Sequence, residues 1–251
     1  MKRNLLILLG ITTILVACKT SRTTIENKIQ NSEPIENVGH VKMGLIDYEI
    51  IDTTIIDKEK VEFMIEMMKP SFQTELIYNE SKSAELILIE NDKYLRTILY
   101  DRTTKSVYQF HHTDTIQYVS EMDISKMMEE IETSKEDMLE LSKMFKIGES
   151  KTDIIGLKCD EVSIMQPPSF TEINSIIYTS KEIPHMSEAM GPMSDYFTGA
   201  PLKTIMFVNG VKITMGAVEI NENSSMSQYL ELDESKYKRI SMEEFEIMTN
   251  N

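Results

Sequence analysis

Beyond residue 40, apolar and polar positions fall mostly into short runs with a period near two, the period of a sheet. Val41–Ile50 is β-rich and partly alternating. Five short runs follow at a spacing of roughly 10–12 residues: Phe72–Tyr78, Ala84–Glu90, Tyr94–Tyr100, Ser106–His112 and Thr115–Glu121. Turn-forming clusters separate them, at Asn79-Glu80-Ser81, Asn91-Asp92, Asp101–Thr104 and Thr113-Asp114. That rhythm predicts an antiparallel meander. Strands resume at Leu157–Met165 and Ile173–Thr179, and a looser segment, Pro184–Pro201, interrupts them. Leu202–Val208 and Val211–Ile220 then flank Asn209-Gly210, the strongest short-range signal for a hairpin.

A helical period appears in three places. Val61, Met64, Ile65 and Met68 recur on one face behind a capping Asp57, and Pro70 stops that helix. Asp123–Phe145 carries the stripe Ile124, Met127, Met128 and Ile131, and a restart at Ser134 brings in Met138, Leu141 and Met144. Ser241-Met242-Glu243-Glu244 has the spacing of a capping box and opens a short terminal helix. The sum is an α+β chain of about nine or ten antiparallel strands with two or three helices. A sheet of that size buries one face, and the apolar helices are its available cover.

The first 39 residues follow different rules. Lys2 and Arg3 make a positive start, and Leu5–Val16 is an apolar stretch too short for a membrane span, which takes about 20 residues. The stretch ends Leu15-Val16-Ala17-Cys18. This end resembles the bacterial lipobox, which implies acylation of Cys18 and removal of residues 1–17. Acyl chains convert a soluble chain to an anchored one. Residue 19 is Lys rather than Asp, which by the same resemblance implies an outer-membrane address facing the periplasm. Residues 18–39 are polar and aperiodic and read as a tether of roughly 25 Å reach. The organisation expected is therefore signal 1–17, acylated tether 18–39 and a single folded domain 40–251.

A further resemblance lies in the second half. Gly156-Leu157-Lys158-Cys159 opens a strand, Ile177-Tyr178-Thr179 leads to Glu182-Ile183-Pro184, and Gly191-Pro192 precedes Phe197-Thr198-Gly199-Ala200-Pro201-Leu202. Tyr237-Lys238-Arg239-Ile240-Ser241 closes the series. This order is similar to the GLPGLI-type family of exported bacterial proteins. The resemblance implies the superfold of the outer-membrane lipoprotein carriers: a curved, unclosed antiparallel sheet, or half-barrel, with helices in its concavity. It brings no catalytic residues.

Charge and composition narrow the functions. With 26 Lys+Arg against 41 Asp+Glu the net charge is −15, and loss of Lys2 and Arg3 with the signal takes it to −17. Such a chain does not bind phosphate backbones by charge, so nucleic acid is excluded as a partner. The chain has 2 Cys, and once Cys18 is acylated Cys159 is the only thiol, which reads as a small buried hydrophobe. No hydrolase, metalloprotease or phosphate-loop motif is present, and Ser235-Lys236-Tyr237-Lys238 has the spacing of Ser-x-x-Lys without its companions. His111 and His112 are neighbours on a strand and point to opposite faces, so they do not chelate one metal.

The 19 methionines are the compositional excess. Met64, Met68, Met127 and Ile131 lie on helical stripes that face the sheet, as core or as the lining of an adaptable apolar groove. His185, Met186, Met190 and Met193 form a soft donor cluster of the kind that suits Cu(I). The leading expectation is a non-enzymatic, cofactor-free envelope lipoprotein that binds an apolar small molecule or a partner's lipid or peptide segment. The alternative is an accessory subunit of an envelope complex with no small-molecule site. Copper handling through the Met/His loop is the third.

Overall fold

A computed structural model describes residues 38–52, 57–69, 73–88, 95–112, 117–122, 143–165, 173–189, 194–208, 210–241 and 243–245. Cys18 with its signal and tether, the stripe of Met127 and Ile131, and Met190 and Met193 lie outside the described residues.

Among the described residues the chain builds one open sheet of twelve strands, more than the nine or ten expected. In chain order these are β1 (Gly39–Ile50), β2 (Thr74–Tyr78), β3 (Lys82–Leu88), β4 (Leu95–Asp101), β5 (Ser106–His112), β6 (Gln117–Met122), β7 (Phe145–Ile154), β8 (Leu157–Met165), β9 (Ile173–Ser180), β10 (Ala200–Val208), β11 (Val211–Asn221) and β12 (Lys238–Arg239). The spatial order is β12-β6-β5-β4-β3-β2-β1-β11-β10-β9-β8-β7. Two meanders, β2–β6 and β7–β11, are thus joined through β1, and every pairing is antiparallel except β12 on β6. The hairpin expected here forms: Val208 pairs with Val211, and Gly210 takes φ 75°, open to glycine at no steric cost.

Register assigns the faces of the first meander. Ile77, Ala84 and Leu99 lie in one cross-strand row, and Leu86, Phe110 and Val119 share their face. They form a cluster closed by Val38 and by the C-terminal segment through Met226, Tyr229, Leu230 and Tyr237. The opposite face carries Leu76, Glu85, Ile98, Tyr100 and Val107. Ile98, Tyr100 and Val107 pack with Phe145, Val162 and Ile164 from β7 and β8, far away in the strand order. Among the described residues the sheet therefore packs its own two halves together. Tyr196 and Phe197 plug the gap, with ring centroids 5.0 and 5.1 Å from Phe145.

α1 (Lys58–Met68) begins at Asp57, whose carboxylate accepts from the Glu59 amide, as the sequence predicts. Val61 and Ile65 are its buried residues, packed with Val211 and with Leu45, Tyr48, Ile50 and Ile213. The capping box at the C-terminus also forms: Ser241 Oγ accepts from the Glu244 amide, and Glu244 Oε2 accepts from the Ser241 amide. Most of the long helix expected over Asp123–Phe145, residues 123–142, lies outside the described residues, and Phe145 starts β7.

Candidate functional site

The loop between β9 and β10 builds the site. Thr179 and Ser180 end β9 fully buried, and Ile183 is buried behind them. Gly199 (φ 86°) brings the chain back so close to Ser180 that a Cβ there would stand 1.9 Å from the Ser180 carbonyl oxygen. The Ala200 amide then donates to the Ile183 carbonyl. These constraints set a 3-10 turn, Met186–Ala189, against the inner face of β3 and β4.

Beneath that turn, Leu76, Ser83, Glu85, Ile98, Tyr100, His185 and Met186 line a space of about 10 Å³, room for roughly one water molecule. His185 and Met186 come from the loop, and the other five residues come from β2, β3 and β4. Both His185 contacts that fix its ring use Nδ1, which lies 3.0 Å from Ser187 Oγ and 3.2 Å from the Ser187 amide. The Ser187 hydroxyl donates onward to the Gly199 carbonyl at 3.3 Å. Because Nδ1 accepts from the Ser187 amide, the proton of the neutral ring sits on Nε2.

Burial shifts the ionisable groups here away from their charged forms. It drives His185 down to about 4, against a smaller upward pull from Glu188. It raises the Glu85 carboxyl, against the opposing charge of Arg96. It also raises the Tyr100 phenol to about 12, with the Glu188 charge adding to the effect. A carboxyl raised and an imidazole lowered by the same burial are what desolvation of a polar pocket produces. Arg96 shares this face one step along β4, where its guanidinium hydrogen-bonds Gln109 and lies over the Phe245 ring.

The residues singled out by sequence disperse. Met64 is 57% exposed and lines no interior; Val61 and Ile65 are the residues that α1 turns inward. Met68 belongs to the last turn of the same helix. His185 and Met186 do line one space, but their partner there is Glu85, which pattern reasoning passed over. The signal was a single carboxylate inside the apolar run Ala84-Glu85-Leu86-Ile87-Leu88. His111 is buried and its imidazole is lowered by desolvation, with Arg96 adding to the effect. Cys159 is fully buried and its thiol is pushed up to about 11, chiefly by desolvation, matching the hydrophobe expected. Among the described residues no three His, Cys, Asp or Glu side chains converge on one point, and no helix is long and apolar enough to cross a membrane.

No family model matches the chain, and no curated protein matches it. Two solved structures of PNGF-II, in C2 and P21 crystals, are similar over 84% of this chain at 11% and 12% identity, with TM-scores of 0.48 and 0.47. This chain spans about a third of their length, 32% and 33%.

Proposed function

We propose that the protein is an acyl-anchored envelope lipoprotein that works as an accessory subunit of a protein complex. The observation that carries this reading is the packing among the described residues: the two halves of the sheet meet through Ile98, Tyr100, Val107, Phe145, Val162 and Ile164, and the space under the Met186–Ala189 turn is fit for about one water. A carrier of fatty acyl chains needs hundreds of cubic ångströms of apolar space. The surface supplies the second support. Ile46 (49% exposed) and Val218 (56% exposed) lie beside the glycine pair Gly44 and Gly216, where the bare backbone leaves a shallow apolar patch. Exposed patches of this kind on a protein with a filled core mark protein contacts.

Anchoring through Cys18 is part of the same reading and rests on the lipobox. Under it the domain stands off the outer membrane on residues 18–39 as a half-barrel closed by its own loop. The net charge of −17 after processing keeps it off anionic lipid, so the acyl chains supply the membrane contact. Native mass spectrometry of protein taken from envelope extracts tests the proposal. A defined protein subunit should co-purify, and a fluorescent fatty-acid analogue should not bind. Stoichiometric lipid with no protein partner would overturn the accessory-subunit reading and favour the carrier. For the anchor, a Cys18→Ser variant should leave the membrane fraction after a high-salt wash; continued fractionation with membranes would refute it.

A further inference from the structure

Two β-bulges interrupt the pairing of β1 with β11. The register slips between Leu45 and Asp47, which leaves Ile46 without an opposite residue on β11, and between Lys42 and Met43, which leaves Val218 without one on β1. The Gly44·Gly216 pair stands between the bulges. A Cβ on Gly216 would stand 3.0 Å from Ile46 Cδ1, and one on Gly44 would stand 3.9 Å from Val218 Cγ1, so both extra side chains lie down across bare backbone. The result is a low apolar step, with Ile46 49% and Val218 56% exposed. An ion pair bounds it at each end: Lys42 Nζ is 2.9 Å from Glu219 Oε2, and Lys212 Nζ is 3.4 Å from Glu49 Oε2. Alternation along the strands places all four charges on the face of the two glycines. α1 packs on the opposite face, against Leu45, Tyr48, Ile50 and Ile213.

We propose that this face is the contact between two copies of the chain, related by a two-fold axis that lies in the plane of the sheet and crosses its strands. The charges carry the assignment. Lys42·Glu219 lies two register positions from the glycine pair on one side and Glu49·Lys212 lies four on the other, so their midpoint is the Leu45·Met215 position, beside Ile46. The sign on each strand reverses from end to end: β1 carries Lys42 and then Glu49, and β11 carries Lys212 and then Glu219. An axis through the midpoint lays β1 of one copy in reverse over β1 of the other. Lys42 of each copy then meets Glu49 of the other, and Glu219 of each meets Lys212 of the other, so every charged contact joins opposite signs. Ile46 meets its counterpart beside the axis. The same patch serves both copies, as an isologous two-fold contact requires. Sheet faces pack in this manner with their strands within about 30° of each other, and side chains that lie flat on glycine suit such a stack. This names the partner of the apolar patch described above, and it rests on the reading of that patch as a protein contact.

Native mass spectrometry of the full chain in detergent, over a range of concentrations, should show a dimer. Lys42→Glu together with Glu219→Lys keeps the ion pair within each copy but reverses its polarity. That variant should hold its thermal midpoint and dimerise about tenfold more weakly, because like charges then meet across the axis. Adding Glu49→Lys and Lys212→Glu reverses the other end too and should return the dimer to within about threefold of wild type. A carbodiimide crosslink needs no variant: in a mixture of unlabelled and isotope-labelled chains it should join Lys42 of one copy to Glu49 of the other. A monomer at every concentration overturns the proposal. So does a dimer that the Lys42→Glu, Glu219→Lys variant forms as tightly as wild type, or one whose crosslinks join residues of other faces. The accessory role fails on a separate result, the absence of any second protein from envelope extracts, which leaves the dimer standing.

Discussion

Arg102 grips Glu188 with two hydrogen bonds, Nε to Oε2 at 2.8 Å and Nη2 to Oε1 at 2.6 Å, and so joins residues 86 positions apart. The same guanidinium donates to the Glu80 carbonyl and reaches the Lys181 carbonyl at 3.5 Å. The β4–β5 turn, the β2–β3 turn and the loop after β9 meet on one side chain. The fork geometry that makes this junction is particular to arginine.

Arg102→Ala should therefore cost about 1–2 kcal/mol of stability, more than an ordinary surface pair, because two carbonyl contacts go with the ion pair. Arg102→Lys should recover less than half of that loss, since an ammonium does not span both carboxylate oxygens. Urea denaturation of the three proteins checks the ranking. Equal stability of the wild type and the Ala variant would show that the junction is ornamental.

The loop's ionisable residues set a pH dependence with two opposite signs. His185 titrates near 4 in the fold and near 6.5 when unfolded, so the unfolded chain takes the proton first. Stability is then lost as pH falls from about 6.5 towards 4, by about 2 kcal/mol once partial exposure is allowed for. Glu85 is shifted the other way: its contribution is full below the ordinary carboxylate range and is lost as pH rises through its raised folded value. His185→Gln should flatten the acid limb of the urea midpoint against pH, and Glu85→Gln should raise stability at neutral pH. A His185→Gln curve parallel to the wild type between pH 6.5 and 4.5 would refute the first half of this statement.

Cys159 sits in a core cluster with Leu157, Ile183 and Leu202 and has no exposed surface, and its thiol is pushed up to about 11. In a sample lacking Cys18, thiol reagents at pH 8 should label native protein at least a hundredfold more slowly than denatured protein, because the thiolate is scarce and access needs opening of the sheet. Mass spectrometry of a timed iodoacetamide reaction measures the ratio. Rapid labelling in native buffer would place the thiol at a mobile edge.

The alternation of residues revealed the meander strand by strand, and β8 falls at Leu157–Met165 as read. It did not reveal β7. Phe145–Ile154 contains Gly148 and four charged residues, and its pairing with β8 is broken between Ile147 and Lys151, so no period of two survives there. β12 is two residues paired in parallel at the β6 edge, too short to leave a pattern. Glu85 was hidden for a tertiary reason. On β3 it alternates with buried Ala84 and Leu86, which puts it on the polar face of that strand by pattern alone. That face is covered by β7, β8 and loop residues His185, Met186, Tyr196 and Phe197, all more than 50 residues away in sequence. On α1 the stripe was right in period, but the four-residue step from Val61 to Ile65 carries the burial, leaving Met64 at its edge in solvent.

The C-terminal segment is structural rather than a tail. Its chain crosses the outer face of the first meander, where Leu230 is 1% exposed among Val38, Ile77 and Phe110. Tyr237 lies 4.9 Å edge-on from Phe110. β12 then pairs with Tyr118 and Val119, and Arg239 fastens to Glu121 at 2.7 Å. Finally Phe245 reaches the inner face, where it stacks against His111 at 5.7 Å and under Arg96. One strap thus holds both faces of the β6 edge and covers a strand that would otherwise be open to pairing. Leu230→Ala should cost about 3 kcal/mol by lost burial and the cavity left behind, as much as Leu86→Ala on the sheet beneath it. Lys238→Pro, which removes an edge amide, should cost less but increase self-association, since it frees the β6 edge without emptying the core. Urea midpoints and sedimentation velocity separate the two effects. A Leu230→Ala variant within about 0.5 kcal/mol of wild type would mean that the strap rests on the sheet without supporting it.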